Sequence, residues 1–85
     1  MQYVLFVFSS RDGAMRLYDY CMSRRIAASV VNTPRELGAS CGISIRIGTK
    51  DKWYVGRGVT KLPTYVGTYL VTQTIMGRTI TKIYE

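Results

Sequence analysis

Residues 2–8 read Gln-Tyr-Val-Leu-Phe-Val-Phe, a run in which every side chain after the first is aliphatic or aromatic. Such a run is typical of a central strand in a sheet, either buried on both faces or covered on one. The run is too short for the apolar part of a secretory signal peptide, and Met1-Gln2 lacks the basic residues that begin one. We therefore expect residues 2–8 to be a central strand.

The residues that follow predict a helix over about residues 11–25. Residues 9–10 are both serine, a residue type that caps helix N-termini. Four side chains then repeat with the spacing of one helix face: Ala14, Leu17, Tyr18 and Cys21. Gly13 is mildly unfavourable in a helix, whereas the two arginines at 24–25 suit a C-terminal turn.

Two further strands are predicted before residue 48. Ala28–Asn32 is a short strand, and Thr33-Pro34 ends it because proline cannot donate a hydrogen bond to a sheet. Ile43–Ile47 alternates apolar and polar residues, as a half-buried strand does.

A second helix and a last strand are predicted in the second half. Pro63 suits the first position of a helix that continues to Met76, and Gly77 suits the residue that ends it. Residues 79–84 form the last strand. The order βαββαβ predicts an α+β fold, the ferredoxin-like sandwich, with two helices on one face of a four-stranded antiparallel sheet. The alternative is a β-rich segment over residues 52–72 without a second helix.

The composition of the chain excludes several classes of catalytic site. Its 85 residues suit one domain, residues 1–85, with 12 basic and 5 acidic side chains, a net charge of +7 and no histidine. Without histidine the chain has no Ser-His-Asp triad and no Cys-His dyad, and most catalytic zinc sites are excluded. The few carboxylates are too scattered for a paired-carboxylate site. We therefore expect neither a metal nor a cofactor.

Cysteine use and hydropathy predict a cytoplasmic protein with reduced thiols. Two cysteines without a CxxC are too few for the disulfide framework of a small secreted domain. No apolar run approaches the roughly 20 residues of a membrane span, so no membrane partner is expected. Cys21 lies on the apolar stripe of the first helix, about 15 Å along it, which predicts core packing and no disulfide to Cys41.

Cys41 is the main candidate for chemistry. If the third strand lies antiparallel beside the first, Cys41 lies where the first helix begins. The positive end of a helix stabilises anions and lowers the pKa of a thiol. Four side chains are expected to support the anion by hydrogen bonds or charge: Ser9, Ser10, Arg11 and Arg35. This predicts an exposed, activated thiol. The alternative is a buried cysteine at a strand start, the more common fate of a free cysteine.

The same loop resembles that of a known family. The strand, the two serines and the helix are followed by Asn32-Thr-Pro-Arg-Glu-Leu and then Ala39-Ser-Cys-Gly-Ile43. This arrangement resembles the putative Se/S carrier protein-like family, whose members are small, largely bacterial domains of unknown function. The resemblance covers about residues 2–47 and depends on five residues in the expected order: Pro34, Arg35, Ser40, Cys41 and Gly42. Residues 48–62 depart from the family pattern, being longer, more basic and richer in glycine.

The resemblance implies a function for the loop. Cys41 would be the thiol that carries the chalcogen, with Pro34 and Arg35 shaping its loop. The thiolate would accept sulfur or selenium from a donor persulfide and pass it to a nucleophile on a second protein. The protein would then be a carrier or accessory protein rather than a turnover enzyme, with donor and acceptor proteins as partners.

A basic cluster suggests a different partner. Lys50, Lys52 and Arg57 lie around Trp53 in the sequence, and cations interleaved with aromatic residues suit RNA or single-stranded DNA. The strand at 43–47 has no aromatic pair and no RNP1-like sequence, which counts against an RNA-recognition module. We favour a solvated basic loop with Trp53 packed over the sheet edge, although an acidic protein would use the same charges.

A structural or assembly domain with a buried Cys41 is a third alternative. Several aromatic side chains are expected in the core or on a sheet face: Tyr3, Phe6, Phe8, Tyr18 and Tyr20. An exposed aromatic sheet face would suit pairing of two copies of the chain, so a homo-oligomer is a further expectation.

Overall fold

The fold is a five-stranded antiparallel sheet with a helix on one face. The computed structural model describes residues 1–37, 42–51, 55, 58–59 and 61–84. The strands are β1 (Gln2–Phe8), β2 (Ala28–Asn32), β3 (Ile43–Ile47), β4 (Tyr65–Thr74) and β5 (Gly77–Tyr84), and the helix is α1 (Arg11–Ser23). The strand order is β2-β3-β1-β4-β5. Two 3₁₀ turns, Arg35–Leu37 and Thr49–Asp51, precede and follow β3. The α+β class is confirmed.

Strand β1 is central, as predicted. It pairs with β3 on one side and with β4 on the other, so that Phe8 lies opposite both Ile43 and Tyr65. Five consecutive residues, from Val4 to Phe8, are buried. Since side chains alternate along a strand, β1 is buried on both faces of the sheet.

The two faces carry separate apolar clusters. The helix face, as we term it, contains Val4, Phe6 and Phe8 of β1 together with the buried side of α1. The loop face, on the other side of the sheet, contains Leu5, Val7 and Val71.

Helix α1 matches its predicted start and ends two residues earlier than predicted. Its buried residues are Gly13, Ala14, Leu17 and Cys21. Arg25 adopts a left-handed conformation with φ of 59°. The amide of Ile26 donates to the Cys21 carbonyl at 2.8 Å, and that of Arg25 donates to the Met22 carbonyl at 3.2 Å. This pair of hydrogen bonds is a Schellman motif, which ends the helix and turns the chain back towards the core.

The predicted second helix from Pro63 to Met76 is wrong, because residues 65–74 form strand β4. Five of these ten residues are β-branched, which suits a pleated strand better than a helix: Val66, Thr68, Val71, Thr72 and Thr74. Strand β4 pairs with β1 from Gln2 opposite Thr72 to Phe8 opposite Tyr65. Without it, the backbone groups along that edge of a buried strand would lack partners. The β-rich alternative is therefore correct for residues 65–72.

The last strand is confirmed and is longer than predicted. Gly77, expected to end a helix, instead begins β5 after a tight turn and has φ of 130°, a conformation that favours glycine. The ferredoxin-like sandwich of four strands and two helices is not confirmed, since β4 and β5 form a hairpin. Helical conformation occurs earlier, at residues 55, 58 and 59, where Val55 and Val59 are buried on the helix face. Among the described residues, no helix has the length and apolar character needed to cross a membrane.

Candidate functional site

Four strands bring their termini together at one end of the sheet, termed here the loop end. Strands β1 and β2 end there and β3 and β4 begin there, because Ile43 lies opposite both Phe8 and Asn32, and Tyr65 lies opposite Phe8. Helix α1 starts three residues after Phe8. The structure thus confirms that the third strand begins where the first strand ends and the helix starts.

Polar contacts close the base of the loop that carries the predicted motif. The amide of Thr33 donates to the carbonyl of Gly42 at 3.1 Å. The hydroxyls of Thr33 and Ser44 lie 2.7 Å apart, and Ser44 is fully buried. A buried hydroxyl needs such a partner, so this pair fixes both sides of the loop base. Ser40 and Cys41, two of the predicted site residues, lie outside the described residues.

The first half of this loop packs on the loop face. Pro34 is half-buried, and its carbonyl accepts a hydrogen bond from the Leu37 amide at 3.1 Å, within the 3₁₀ turn Arg35–Leu37. The Leu37 side chain packs against the cluster formed by Leu5, Val7 and Val71. The described first half of the predicted connection, residues 33–37, is therefore folded onto the sheet.

An ion pair joins the same turn to the opposite edge of the sheet. The Nε and Nη2 atoms of Arg78, on β5, donate to the two carboxylate oxygens of Glu36 at 2.9 Å each. This hydrogen bonding holds the pKa of Glu36 below its ordinary value. The pair lies 42 residues apart in the sequence, and no spacing or motif connects its members. Sequence patterns therefore gave no signal for it.

The predicted anion-supporting residues are divided between the two sides of the sheet. Arg11 is the exposed first residue of α1, which packs on the helix face, whereas exposed Arg35 begins the turn that packs on the loop face. The amide of Ser9 donates to the carbonyl of Thr64 at 2.8 Å. Ser10 is extended, with φ of −150°, and within the described part of the chain its side chain makes no capping hydrogen bond to α1.

Thr64 is a residue of the loop end that sequence reasoning missed. Its φ of 64° is left-handed, an uncommon conformation for a β-branched residue. Besides its bond to Ser9, its hydroxyl lies 3.5 Å from the Ser10 carbonyl, to which it donates. Thr64 thus connects the start of β4 to the β1–α1 junction.

Gly13 explains how closely α1 approaches this junction. A Cβ added at Gly13 would collide with the carbonyl oxygen of Pro63, and it would lie 2.8 Å from both the Phe8 ring and the Thr64 hydroxyl. The sequence suggested only that Gly13 weakens the helix. The structure shows that its missing side chain is what allows the helix to pack against residues 63–64.

Cys21 is a core residue, as predicted. Its side chain is fully buried on the helix face, and it is a free cysteine, which confirms the absence of a Cys21–Cys41 disulfide. Burial raises the pKa of this thiol to about 11, and the nearby carboxylate of Asp51 contributes to the increase. The structure therefore places Cys21 in an apolar core, whereas Cys41 lies outside the described residues.

The basic cluster lies away from the loop end as far as the structure describes it. Lys50 is exposed in the 3₁₀ turn that follows β3. Since Ile47 lies opposite Val4 and Ile43 lies opposite Phe8, this turn is at the other end of the sheet. Three further predicted contact residues lie outside the described residues: Lys52, Trp53 and Arg57. In the described part of the chain, no three Cys, Asp or Glu side chains are grouped to hold a metal ion.

Comparison with known proteins agrees with the arrangement of the first half. The sequence model of the family described as "Putative Se/S carrier protein-like" matches residues 3–55, which include the loop from Thr33 to Gly42. No curated protein and no solved structure matches the chain. The match extends over more than half of the 85 residues and ends before β4. The chain therefore belongs to the putative Se/S carrier protein-like family.

Proposed function

We propose that this protein carries sulfur or selenium on the thiolate of Cys41. Family membership supports a carrier function, since the matched region contains the whole cysteine loop. Two described residues of that loop have defined contacts: the carbonyl of Gly42 accepts a hydrogen bond from Thr33 at the loop base, and Leu37 packs on the loop face.

One observation carries the assignment to Cys41. The chain has two cysteines, and Cys21 is fully buried with a pKa raised to about 11. The thiolate, not the thiol, is the nucleophile in sulfur chemistry. Cys21 is therefore protonated at neutral pH and closed to a partner protein, which leaves Cys41 as the thiol for transfer.

The proposed transfer is a thiolate exchange and needs no external oxidant. The Cys41 thiolate attacks the outer sulfur of a donor persulfide, the donor S–S bond breaks, and the electron pair leaves on the donor thiolate. Cys41 then holds the atom as a persulfide, or as its selenium analogue when the outer atom is selenium. A nucleophile on an acceptor protein takes that outer atom and restores the Cys41 thiolate. A donor and an acceptor protein are thus the required partners.

The loop end offers groups that favour the anionic thiolate. The positive end of α1 lies there, and Arg11 begins that helix. Asp12, in the first turn, opposes this effect, although its carboxylate lies 3.8 Å from the Arg16 guanidinium. We propose that the residues singled out in the sequence support the thiolate or its loop: Ser9, Ser10, Arg11, Pro34, Arg35, Ser40 and Gly42.

The test is sulfur uptake from a small-molecule persulfide, read by intact mass. The proteins are the wild type, Cys41→Ser and the matched control Cys21→Ala, which removes the buried thiol without burying a hydroxyl. We expect the wild type and Cys21→Ala to gain one sulfur atom and Cys41→Ser to gain none. Alkylation across pH should give a Cys41 pKa below the free value of about 8.5.

Two results would overturn the proposal. In one, Cys41→Ser still gains sulfur while Cys21→Ala does not, so that the core thiol is the acceptor. In the other, the folded wild type gains no sulfur and Cys41 is alkylated only after unfolding, so that the thiol is structural.

A further inference from the structure

The ion pair between Glu36 and Arg78 has a place in the fold that suggests a function. Glu36 follows β2 at one edge of the sheet, and Arg78 lies on β5 at the other edge. To make this pair, the chain after β2 must cross the loop face. The contact therefore anchors the cysteine loop to a strand that is remote from it in sequence.

The ion pair is geometrically specific. Both carboxylate oxygens of Glu36 accept hydrogen bonds from Arg78, in the two-pronged arrangement that is stronger and more directional than a single contact. The hydrogen bond to Glu36 raises the pKa of Arg78, and Tyr3 contributes to the increase. Arg46 stacks over the Tyr3 ring, with its guanidinium carbon 4.3 Å from the ring centroid. Arg78 is thus held on the loop face by neighbours of its own.

Anchoring at this point reduces the number of residues between two fixed points of the loop. The Thr33–Gly42 hydrogen bond alone encloses eight residues, 34–41. With Glu36 paired and Leu37 packed on the sheet, only the four residues 38–41 lie between the anchored turn and Gly42. A shorter segment between two fixed ends has fewer conformations, and Cys41 is one of its four residues.

We infer that Arg78 is a positioning residue for Cys41, acting through Glu36. The part of this inference that concerns sulfur transfer rests on the proposed function. The anchoring of the loop by Arg78 can be measured whether or not that function is correct. Arg78 lies outside the family match at residues 3–55. The β4–β5 hairpin of this chain therefore contributes to the site by fixing the turn Arg35–Leu37, which precedes Cys41 in the loop.

The first test measures anchoring alone, by limited trypsin digestion of the bond between Arg35 and Glu36. We expect Arg78→Gln to speed this cleavage about two- to fivefold, the size expected for losing one exposed ion pair. Arg16→Gln is the matched control, because it breaks the exposed Asp12–Arg16 pair on α1. Circular dichroism confirms that each variant is folded. Equal cleavage rates in Arg78→Gln and the wild type would overturn the inference.

The second test measures the effect on the thiol. In Arg78→Gln we expect the alkylation pKa of Cys41 to move towards the free value of about 8.5, with sulfur uptake slowed about two- to fivefold. Arg78→Lys keeps the charge but loses the two-pronged geometry, so it should resemble Arg78→Gln. The exchanged pair Glu36→Arg with Arg78→Glu should restore both quantities. A structural effect on the hairpin alone would leave the alkylation profile of Cys41 unchanged in all three.

The two proposals fail in different ways. If the wild type takes up no sulfur but Arg78→Gln changes both the cleavage and the alkylation profile, the carrier function is wrong and the positioning stands. If sulfur uptake requires Cys41 but is unchanged in a folded Arg78→Gln, the carrier function stands and the positioning is wrong.

Discussion

The two faces of the sheet bury their apolar residues in different ways. On the helix face, Phe6 and Phe8 lie under α1 and under Val55 and Val59, and the contacts are apolar and close. On the loop face, the cluster is smaller, and half-buried side chains cover it: Tyr3, Val31, Leu37, Tyr69 and Ile80. No described helix packs there, and the 3₁₀ turn Arg35–Leu37 takes that position.

The two faces therefore have different functions: the helix face stabilises the fold, and the loop face positions the cysteine loop. The helix face holds the largest buried side chains, so most of the hydrophobic stabilisation arises there. The loop face contributes less buried apolar surface, but its ion pair between Glu36 and Arg78 fixes one side of the cysteine loop. Substitutions on the helix face should therefore change the free energy of unfolding. Substitutions in the ion pair should change the alkylation pKa of Cys41.

The largest expected effect comes from truncating one buried side chain on each face of the sheet. Phe6 and Val7 are adjacent on β1 and both almost fully buried, on the helix face and the loop face respectively. Phe6→Ala should lower the free energy of unfolding by about 3–5 kcal/mol. Val7→Ala removes two carbons and should cost about 2 kcal/mol. Urea denaturation measures both, and equal losses would contradict the contrast between the faces.

Two glycine-to-alanine substitutions, one on each face, test how easily the neighbouring atoms move to accept an added Cβ. In Gly13→Ala the new Cβ meets the Pro63 carbonyl, which is backbone, so α1 must shift. We expect a loss of about 2–3 kcal/mol despite a helix-propensity gain of about 1 kcal/mol. In Gly67→Ala, on β4, the Cβ meets at 3.3 Å only the ends of Lys82 and Tyr69, which can move. Its stability should change by less than about 1 kcal/mol. A larger loss in Gly67→Ala would show that the loop face is the stiffer one.

The raised pKa of Cys21 predicts that the folded protein loses stability at alkaline pH. The pKa of Cys21 is raised from 9.0 to about 11, chiefly by burial, so the unfolded chain ionises this thiol at lower pH than the folded chain does. Stability is then complete below pH 9.0 and falls as pH rises towards about 11, by about 2–3 kcal/mol. Urea denaturation at neutral pH and at about pH 11 should show this loss, and Cys21→Ala should lose less stability over the same range. Identical losses in both proteins would contradict the burial effect.

The smallest expected effect is the loss of the Glu36–Arg78 ion pair at acid pH. The hydrogen bond from Arg78 lowers the pKa of Glu36, so the ion pair is complete above the ordinary value of about 4.3 and is lost as pH falls through the lowered value. The amide resonance of Leu37, next to Glu36, reports this change by NMR. In Arg78→Gln the transition should move up to about 4.3. No movement would show that Arg78 does not hold Glu36 in solution.

The first half of the chain was predictable because its signals are local. The apolar run of β1, the spacing of Ala14, Leu17 and Cys21, and the alternation in Ile43–Ile47 each reflect one periodicity, and each element formed as expected. The core position of Cys21 followed from the same spacing. The prediction of a second helix failed because Pro63 and Gly77 resemble the residues that begin and end helices. Pairing with β1 and the β-branched content of residues 65–74 favour a strand instead.

The sequence by itself determined the α+β class, the central strand, the helix, the core cysteine and the family resemblance, since each depends on residues close together in the chain. Only the tertiary structure decided three further features: the need for glycine at position 13, the contacts of Thr64, and the pairing of Glu36 with Arg78. These features join residues about 40 to 55 positions apart, whose proximity depends on the strand order of the sheet and leaves no local pattern.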